Sequence, residues 1–179
     1  MSSYNKLTMH CKFDRAQEIV DCWNAGDVCM ALCPSYRARR TDIEVRLALL
    51  SDEAETEREI ARIRLENLRI DYTGQKDSWG RRPGEPAAQL DGDSLTVTFD
   101  SQEWPFYLRT MLKTAMDNDV LETFSLVTKD PVNRDLCVCE GYTTKNWRVV
   151  CNAEWIRQRI PEPVRVAHGI DDWAEEEVG

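Results

Sequence analysis

The sequence predicts an α+β protein. Its N-terminal region is helical and contains one long helix, and it is followed by a small antiparallel sheet of about four strands packed on two helices. In residues 1–72 apolar side chains recur at helical spacing, whereas after residue 93 short runs of alternating apolar residues are separated by turn-forming stretches. The pattern divides the chain into four parts. These are residues 1–72 (helical region), 73–93 (Gly/Pro-rich linker or exposed loop), 94–160 (antiparallel α+β region) and 161–179 (acidic tail).

The first helix is predicted to run from Arg15 to Ala25. Asp14 can cap the free amide groups at its start, and Gln17, three residues later, can reach back to the cap. Gly26 can take the left-handed backbone conformation that ends many helices. No element is predicted before Asp14, so His10 and its neighbours are expected to form a flexible start.

One long helix is predicted between Ala38 and Tyr72, with a break near Ser51 left open. Leu, Ala, Arg and Glu, which are strong helix formers, dominate this stretch. An alternative remains for residues 43–50, where apolar and polar residues alternate with the period of a strand. The apolar residues at helical spacing form one stripe: Leu47, Leu50, Ala54, Ala61, Leu65 and Leu68.

Glycine and proline interrupt residues 73–93 repeatedly, and the segment has little apolar content apart from Trp79 and Leu90. Neither the period of a helix nor that of a strand can be sustained there, so a linker or a long exposed loop is predicted. Loops of this length in a compact domain are usually functional or disordered.

The region after residue 93 begins with a strand and a helix. Leu95, Val97 and Phe99 alternate with threonines, which is typical of a half-buried strand. A helix start near Trp104 leads to a helix that ends near Met116. Turn-forming stretches separate the later elements, so neighbouring strands should pair as antiparallel hairpins with the helices on one face. These elements are strands at Leu121 to Thr128, Leu136 to Glu140 and Trp147 to Cys151, and a closing helix at Ala153 to Arg159.

The charge balance argues against nucleic acid as a partner. The 179 residues carry a formal net charge of −9, whereas a phosphate backbone needs a basic surface that releases counterions. The N-terminus lacks the basic start and apolar run of a secretory signal, and no apolar stretch reaches the ~18 residues of a membrane-spanning helix. We therefore expect a cytoplasmic or nuclear protein with no membrane association.

Seven cysteines, an odd number, are typical of thiols that pack as small apolar side chains in a reducing compartment. Cys11, Cys22, Cys29 and Cys33 support an alternative, because four thiolates could hold a zinc ion. Of these, only Cys29 and Cys33 have a spacing that suits a shared metal ion. No cofactor is predicted, and zinc remains the alternative.

A catalytic centre is not predicted. The chain has two histidines, His10 near its start and His168 in the Pro-rich tail, and neither position is expected to be rigid. The glycines of residues 73–93 lack the Lys and Ser/Thr ending of a phosphate-binding loop. We therefore assign no catalytic or cofactor-binding residue.

The acidic tail is the most distinctive candidate for partner binding. It contains an isoleucine and a tryptophan among acidic residues. A partner with a basic rim around an apolar pocket could bury the apolar side chains and attract the acidic ones. The alternative is a solubilising tail whose tryptophan folds back on its own domain. The predicted partner-binding residues are Ile170, Asp171, Asp172, Trp173, Glu175 and Glu176.

These observations favour a non-enzymatic intracellular protein-protein interaction protein that acts as a subunit or regulator of a complex. A homo-oligomer formed through the stripe from Leu47 to Leu68 is a variant of this hypothesis. Two other classes of protein remain as alternatives. They are an acidic inhibitor or mimic that occupies the basic groove of a nucleic-acid-binding protein, and a small enzyme whose residues are gathered from separate segments.

Overall fold

The computed structural model describes residues 3–12, 14–74, 79–102, 104–130, 132–133, 136–142 and 147–175. Over these residues the protein is mixed α/β, with eight helices and one open antiparallel sheet of six strands. None of these helices has both the length and the apolar composition that a membrane span requires. The strands are β1 (Ser3–Cys11), β2 (Leu90–Asp91), β3 (Ser94–Ser101), β4 (Leu121–Lys129), β5 (Cys137–Tyr142) and β6 (Trp147–Cys151). The helices are α1 (Ala16–Asn24), α2 (Cys29–Leu32), α3 (Pro34–Ala48), α4 (Glu55–Thr73), α5 (Phe106–Asp117), α6 (Ala153–Arg159), α7 (Glu162–His168) and α8 (Ile170–Glu175).

The N-terminal strand β1 lies in the middle of the sheet, whose order is β2-β3-β1-β4-β5-β6. It pairs antiparallel with β3 on one side and with β4 on the other, so β3 and β4 run parallel to each other. The helix α5 connects β3 to β4 across β1. The fold thus differs from the expected layout, in which the N-terminal region is helical and the sheet has about four strands.

The sequence analysis missed β1, although Leu7, Met9 and Cys11 alternate with polar residues as in a strand. Buried polar side chains interrupt the pattern at the start of this strand. Asn5 is fully buried, its side-chain amide donates to Ser101 Oγ at 2.9 Å, and Thr128 Oγ1 donates to Asn5 Oδ1 at 2.8 Å. On the other face of the strand, Lys6 Nζ donates to the carbonyl oxygen of Gly169 at 2.9 Å. Asn5 is therefore a polar residue at a buried position of the strand, and its partners on β3 and β4 satisfy it there.

Helices cover both faces of the sheet, so the expectation of helices on one face is wrong. Leu7 and Met9 of β1 lie on the first face and join the main core together with residues of α1, α2 and α5. The second face carries a separate core, to which α6, α7 and α8 contribute, because the segment predicted to be an acidic tail docks there. Buried members of this second-face core include Val127, Cys139, Val149, Ile156, Ile160 and Ile170.

Two helices replace the predicted long helix. α3 and α4 contact each other and are separated at residues 49–54, close to the break considered at Ser51. Residues 43–48 are helical, which confirms helix over strand for this part. The stripe from Leu47 to Leu68 is half-buried or buried within this helical hairpin, α3 with α4, so a second copy could reach little of it.

Trp79 anchors the Gly/Pro-rich segment next to α1. Its side chain is buried and packs edge-on against Phe99 with ring centroids 5.5 Å apart, and its carbonyl oxygen accepts a hydrogen bond from the Val28 amide at 2.8 Å. Glycine is needed at Gly80, because a Cβ there would lie 2.7 Å from backbone atoms of Gly26. Residues 82–84 and 86–87 are exposed, as in a loop, while residues 75–78 lie outside the described residues.

The other predicted elements are confirmed. The strands β3, β4, β5 and β6 form where strands were predicted, and the pairs β4–β5 and β5–β6 are antiparallel hairpins. The helix α1 begins at Ala16 without the expected side-chain cap from Asp14. At its other end Gly26 has the predicted left-handed conformation, with φ of 80°.

Candidate binding cleft

The first face of the sheet is open beyond α5. This helix packs on β4, and next to it a cleft lies over the neighbouring strands β5 and β6. The cleft, which we call the α5–β6 cleft, has a volume of about 210 Å³. One wall comes from the start of α5 and the residues before it, namely Trp104, Pro105 and Phe106.

Strand register builds the floor of the α5–β6 cleft from two rows of side chains. Residues that pair across β4, β5 and β6 lie on the same face of the sheet. One row is dominated by charged side chains and the other by apolar ones. The rows are Leu126–Glu140–Arg148 and Thr128–Val138–Val150.

A buried carboxylate holds two arginines at the floor of the cleft. Oε1 of Glu140 accepts a hydrogen bond from Nη1 of Arg109 at 2.9 Å and lies 2.8 Å from Nε of Arg148. Glu140 is buried, whereas the Arg148 side chain is 58% exposed. Two guanidinium groups on one carboxylate leave a surplus positive charge in the cleft, in a chain whose net charge is −9.

Arg109 is fixed in place by contacts on both sides of its guanidinium group. The group pairs with Glu140 and also lies 5.1 Å from the centroid of the Phe106 ring, which is a cation–π distance. Its Nε is buried and has no hydrogen-bond partner among the residues that the structure describes. Since an unpaired buried donor costs free energy, a ligand acceptor near Arg109 would be stabilised there.

The strand β6 forms an edge of the sheet beside the cleft. Among the described strands it pairs with β5 alone, so its outer backbone groups have no strand partner there. Val150 of β6 is 53% exposed, and Phe106 on the opposite wall is exposed to a similar degree. Backbone hydrogen-bonding groups, apolar walls and a cationic floor therefore lie next to one another.

Comparison with known proteins finds no match: no family model fits the chain, and no curated protein or solved structure is significantly similar to it. No residue role is transferred from another protein. The function is therefore derived from the geometry of the described residues.

The sequence analysis missed the charged residues of the cleft. Glu140 and Arg148 lie on two neighbouring predicted strands, and pairing those strands as a hairpin brings them opposite each other. Opposite charges at paired positions attract, so this was the available signal. Arg109 comes from α5, and no local pattern relates it to the two strands.

The apolar anchors that the sequence predicted for partner binding are used within the fold. Ile170 is fully buried in the second-face core. Trp173 is half-buried, and Nζ of Lys129 lies 4.8 Å from the centroid of its ring. Both positions agree with the alternative in which the tail folds back on its own domain.

The acidic residues of the tail lie in different environments. Nε of Arg165 donates to Asp171 Oδ2 at 3.0 Å, which ties α7 to α8. Asp172 is exposed. The side chain of Glu175 and the whole of Glu176 lie outside the described residues. The structure therefore brings none of these carboxylates together with an exposed apolar anchor among the described residues.

The four candidate zinc ligands do not meet at one point. Among the described residues, no group of three or more His, Cys, Asp or Glu side chains could hold a metal ion. Burial, with the carboxylates of Asp93 and Glu122, raises the pKa of Cys11 to about 12 and so disfavours the thiolate that zinc needs. A hydrogen bond from Cys29 lowers the pKa of Cys33. Cys11, Cys29 and Cys33 are buried, and Cys22 is half-buried.

His168 lies buried between α7 and the sheet. Its Nδ1 is 3.0 Å from Ser125 Oγ, and its ring packs edge-on against His10 with centroids 4.6 Å apart. Burial, and secondarily the nearby His10, lowers the pKa of His168 to about 4. A serine–histidine pair could act in nucleophilic catalysis, but both side chains are buried, and a substrate would have to displace α7. The pair therefore fixes α7 to the sheet.

We expect the protein to lose stability in mild acid because of His168. Between its ordinary pKa of 6.5 and its folded pKa of about 4, the unfolded state binds more protons than the folded state. The free energy of unfolding should thus fall by ~2 kcal/mol between neutral pH and pH ~5. Urea denaturation over this range checks the value, and His168→Gln should flatten the dependence. An unchanged slope in that variant would assign the acid sensitivity to other groups.

Proposed function

We propose that this chain is a non-enzymatic intracellular binding module that captures an extended segment of another protein in the α5–β6 cleft. The observation that carries this proposal is the pairing of two arginines with one buried carboxylate at the floor of an otherwise largely apolar cleft. The captured segment would supply a carboxylate for the surplus positive charge and an apolar side chain for the walls.

Arg148 is the group that meets the carboxylate of the captured segment. Its contact with Glu140 orients the side chain, while more than half of its surface stays accessible to a ligand. The arginine side chain presents a planar fork of donors that suits a carboxylate. A partly enclosed cleft strengthens such a charge pair relative to open water.

The size and position of the cleft favour a peptide strand over a small molecule. Its volume of about 210 Å³ is below the ~300–1,000 Å³ of most small-molecule sites. The outer edge of β6 lies beside it and offers main-chain hydrogen bonds to an added strand. Because alternate residues of a strand face the same side, every second residue of the captured segment would meet the cleft.

The other function classes have less support from the contacts. Oε1 of Glu140 already contacts two arginines, and the carboxylate is buried, so a substrate would have to displace an arginine to reach that oxygen. An acidic mimic would need neighbouring exposed carboxylates on its tail, but of Asp171 and Asp172 only Asp172 is exposed, because Asp171 is paired with Arg165. The binding module is therefore the function that the geometry supports best.

Replacing Arg148 by Ala should weaken capture of an acidic peptide by about 10- to 100-fold. The variant should keep its fold, because Glu140 retains Arg109 and an exposed arginine contributes little to stability. A randomised peptide display library selected on the wild-type protein would supply the ligand. Fluorescence anisotropy would then give the dissociation constants of the wild type and the variant.

Arg62→Ala is the matched control, since Arg62 is an exposed arginine of α4 that does not line the cleft. We expect this control to bind the selected peptides as tightly as the wild type. Equal losses in both variants would show that overall charge attracts the peptides. A library that yields no peptide dependent on Arg148 would refute the proposal.

A further inference from the structure

The outer face of the helical hairpin exposes aliphatic side chains that no part of the described chain covers. Leu49, just after α3, is 82% exposed, and Val45, Ile60 and Ile63 are each about half exposed. Single exposed apolar residues are ordinary on a protein surface, whereas a contiguous apolar patch marks an interaction surface. We call these four residues the hairpin patch.

The hairpin patch lies on one side of the hairpin, next to a groove between its helices. Leu49 follows Asp42 by two helical turns, and Ile60 precedes Asn67 by two turns. Val45 lies three residues after Asp42 and four before Leu49, and Ile63 lies at the same spacings between Ile60 and Asn67. Residues at such spacings share a helix face. Asp42 and Asn67 both line the groove, so the patch and the groove face the same way.

The groove can accept an apolar side chain. It has a volume of about 310 Å³ and lies between α3 and α4 towards the base of the hairpin. Ile43 and the buried Leu68 give it an apolar lining, while Arg39 and Arg64 lie at its rim. An exposed leucine from another molecule matches this lining and this volume.

The charge of the hairpin changes sign along its length. The base, residues 34–41 and 64–73, has five arginines and two acidic residues, a net charge of +3. The tip, residues 42–63, has three arginines and seven acidic residues, a net charge of −4. Two of the base arginines pair with acidic residues outside the hairpin, but Arg39 and Arg64 stay exposed beside the groove.

We propose that a second copy of this chain docks on this face, with the two hairpins antiparallel about a two-fold axis. The antiparallel arrangement places the acidic tip of each hairpin against the basic base of the other. Each Leu49 then enters the groove of the other copy, and the hairpin patches face each other across the axis. The contact is independent of the α5–β6 cleft.

The dimensions of the hairpin suit this arrangement. Leu49 lies six residues beyond Ile43, which is roughly 9 Å along a helix that rises 1.5 Å per residue. An axis midway between them, at Arg46, exchanges the leucine of one copy with the groove of the other. The same axis brings Arg39, near the base of α3, towards the acidic tip of the other copy, where Glu53 lies in the turn between α3 and α4. Because the contact is the same on both copies, association stops at the dimer.

Sedimentation equilibrium of the full chain over a range of concentrations tests the proposal. The wild type should approach twice the chain mass of 20.7 kDa. Leu49→Asp should weaken self-association by at least about 100-fold, because it places a charge in the apolar groove of the other copy. Its circular dichroism spectrum and unfolding midpoint should stay those of the wild type, since Leu49 is exposed.

Two further variants test the site and the orientation. Val166→Asp is the matched control, because Val166 is an exposed apolar residue of α7 outside the hairpin, and this variant should remain dimeric. Arg39→Glu should weaken the dimer about 10-fold, and adding Glu53→Arg should restore most of the loss.

A wild type that stays monomeric at every concentration would overturn the proposal, as would a Leu49→Asp variant that dimerises like the wild type. Equal dissociation in Leu49→Asp and Val166→Asp would show that added charge alone separates the copies, and would also overturn it. A charge swap that restores nothing would contradict the antiparallel arrangement.

Discussion

Replacing Ile170 by Ala should lower the free energy of unfolding by ~3 kcal/mol. Ile170 opens α8, is fully buried, and packs in the second-face core with Val127 and Ile156. Truncation removes buried apolar surface and also leaves a cavity that the neighbouring side chains fill only in part. Urea denaturation, followed by circular dichroism, measures the difference.

Val166→Ala is the control for Ile170→Ala, because Val166 lies in the preceding helix and is 71% exposed. Its free energy of unfolding should stay within ~0.5 kcal/mol of the wild-type value. If Ile170→Ala were no more costly than this control, α8 would not be docked on the sheet. The C-terminal segment would then be available as a tail.

Replacing Trp79 by Ala should cost ~4 kcal/mol of stability. The side chain is buried against Phe99, and the main-chain bond from Val28 holds it beside α1. Its loss leaves a large cavity in the main core and releases the segment that follows. Chemical denaturation measures the effect, and faster proteolysis after Arg81 or Arg82 should accompany it.

Trp155→Ala is the matched tryptophan control. Trp155 lies on α6, is 46% exposed, and stacks with the guanidinium of Arg159 at 4.5 Å. Its replacement should cost less than ~1 kcal/mol, because an exposed stacking contact is weak. A cost for Trp79→Ala as small as this would mean that the Gly/Pro-rich segment is not packed in the core.

Elements with strong local signals could be predicted from the sequence. Leu95, Val97 and Phe99 alternate with threonines, and β3 forms there, while turn residues separate β4, β5 and β6. These signals are local, since they depend on the period of side chains and on the residues that favour turns. The type and order of the elements after residue 93 therefore agree with the prediction as far as α6.

Elements that depend on distant partners were missed, and β1 was missed although Leu7, Met9 and Cys11 alternate with polar residues. Asn5 breaks the pattern, because it is a polar residue at a buried position that only Thr128 and Ser101, distant in sequence, satisfy. The same holds for Ile170. Its acidic neighbours in the sequence suggest an exposed tail, but its side chain is buried on the second face of the sheet. Tertiary contacts override the local pattern in both cases.

The charged cluster of the candidate cleft was not predicted from the sequence for a related reason. Glu140, Arg109 and Arg148 come from two strands and a helix, and only the register and the position of α5 bring them together. A glutamate flanked by apolar residues in a strand is the one local sign that a cationic partner lies nearby. The predicted hairpin could have paired Glu140 with Arg148, but the contact of Arg109 with Glu140 appears only in the fold.

Hydrogen exchange of the protein, with and without a selected acidic peptide, tests the proposed binding function most directly. We predict that the peptide adds protection to the backbone amides of β6, residues 147–151, and to the start of α5. The added strand would form hydrogen bonds with the backbone of β6 and would cover the start of α5. Protection that appears on α7 and α8, or on the helical hairpin, while β6 exchanges as before would contradict the assignment of the cleft as the binding site.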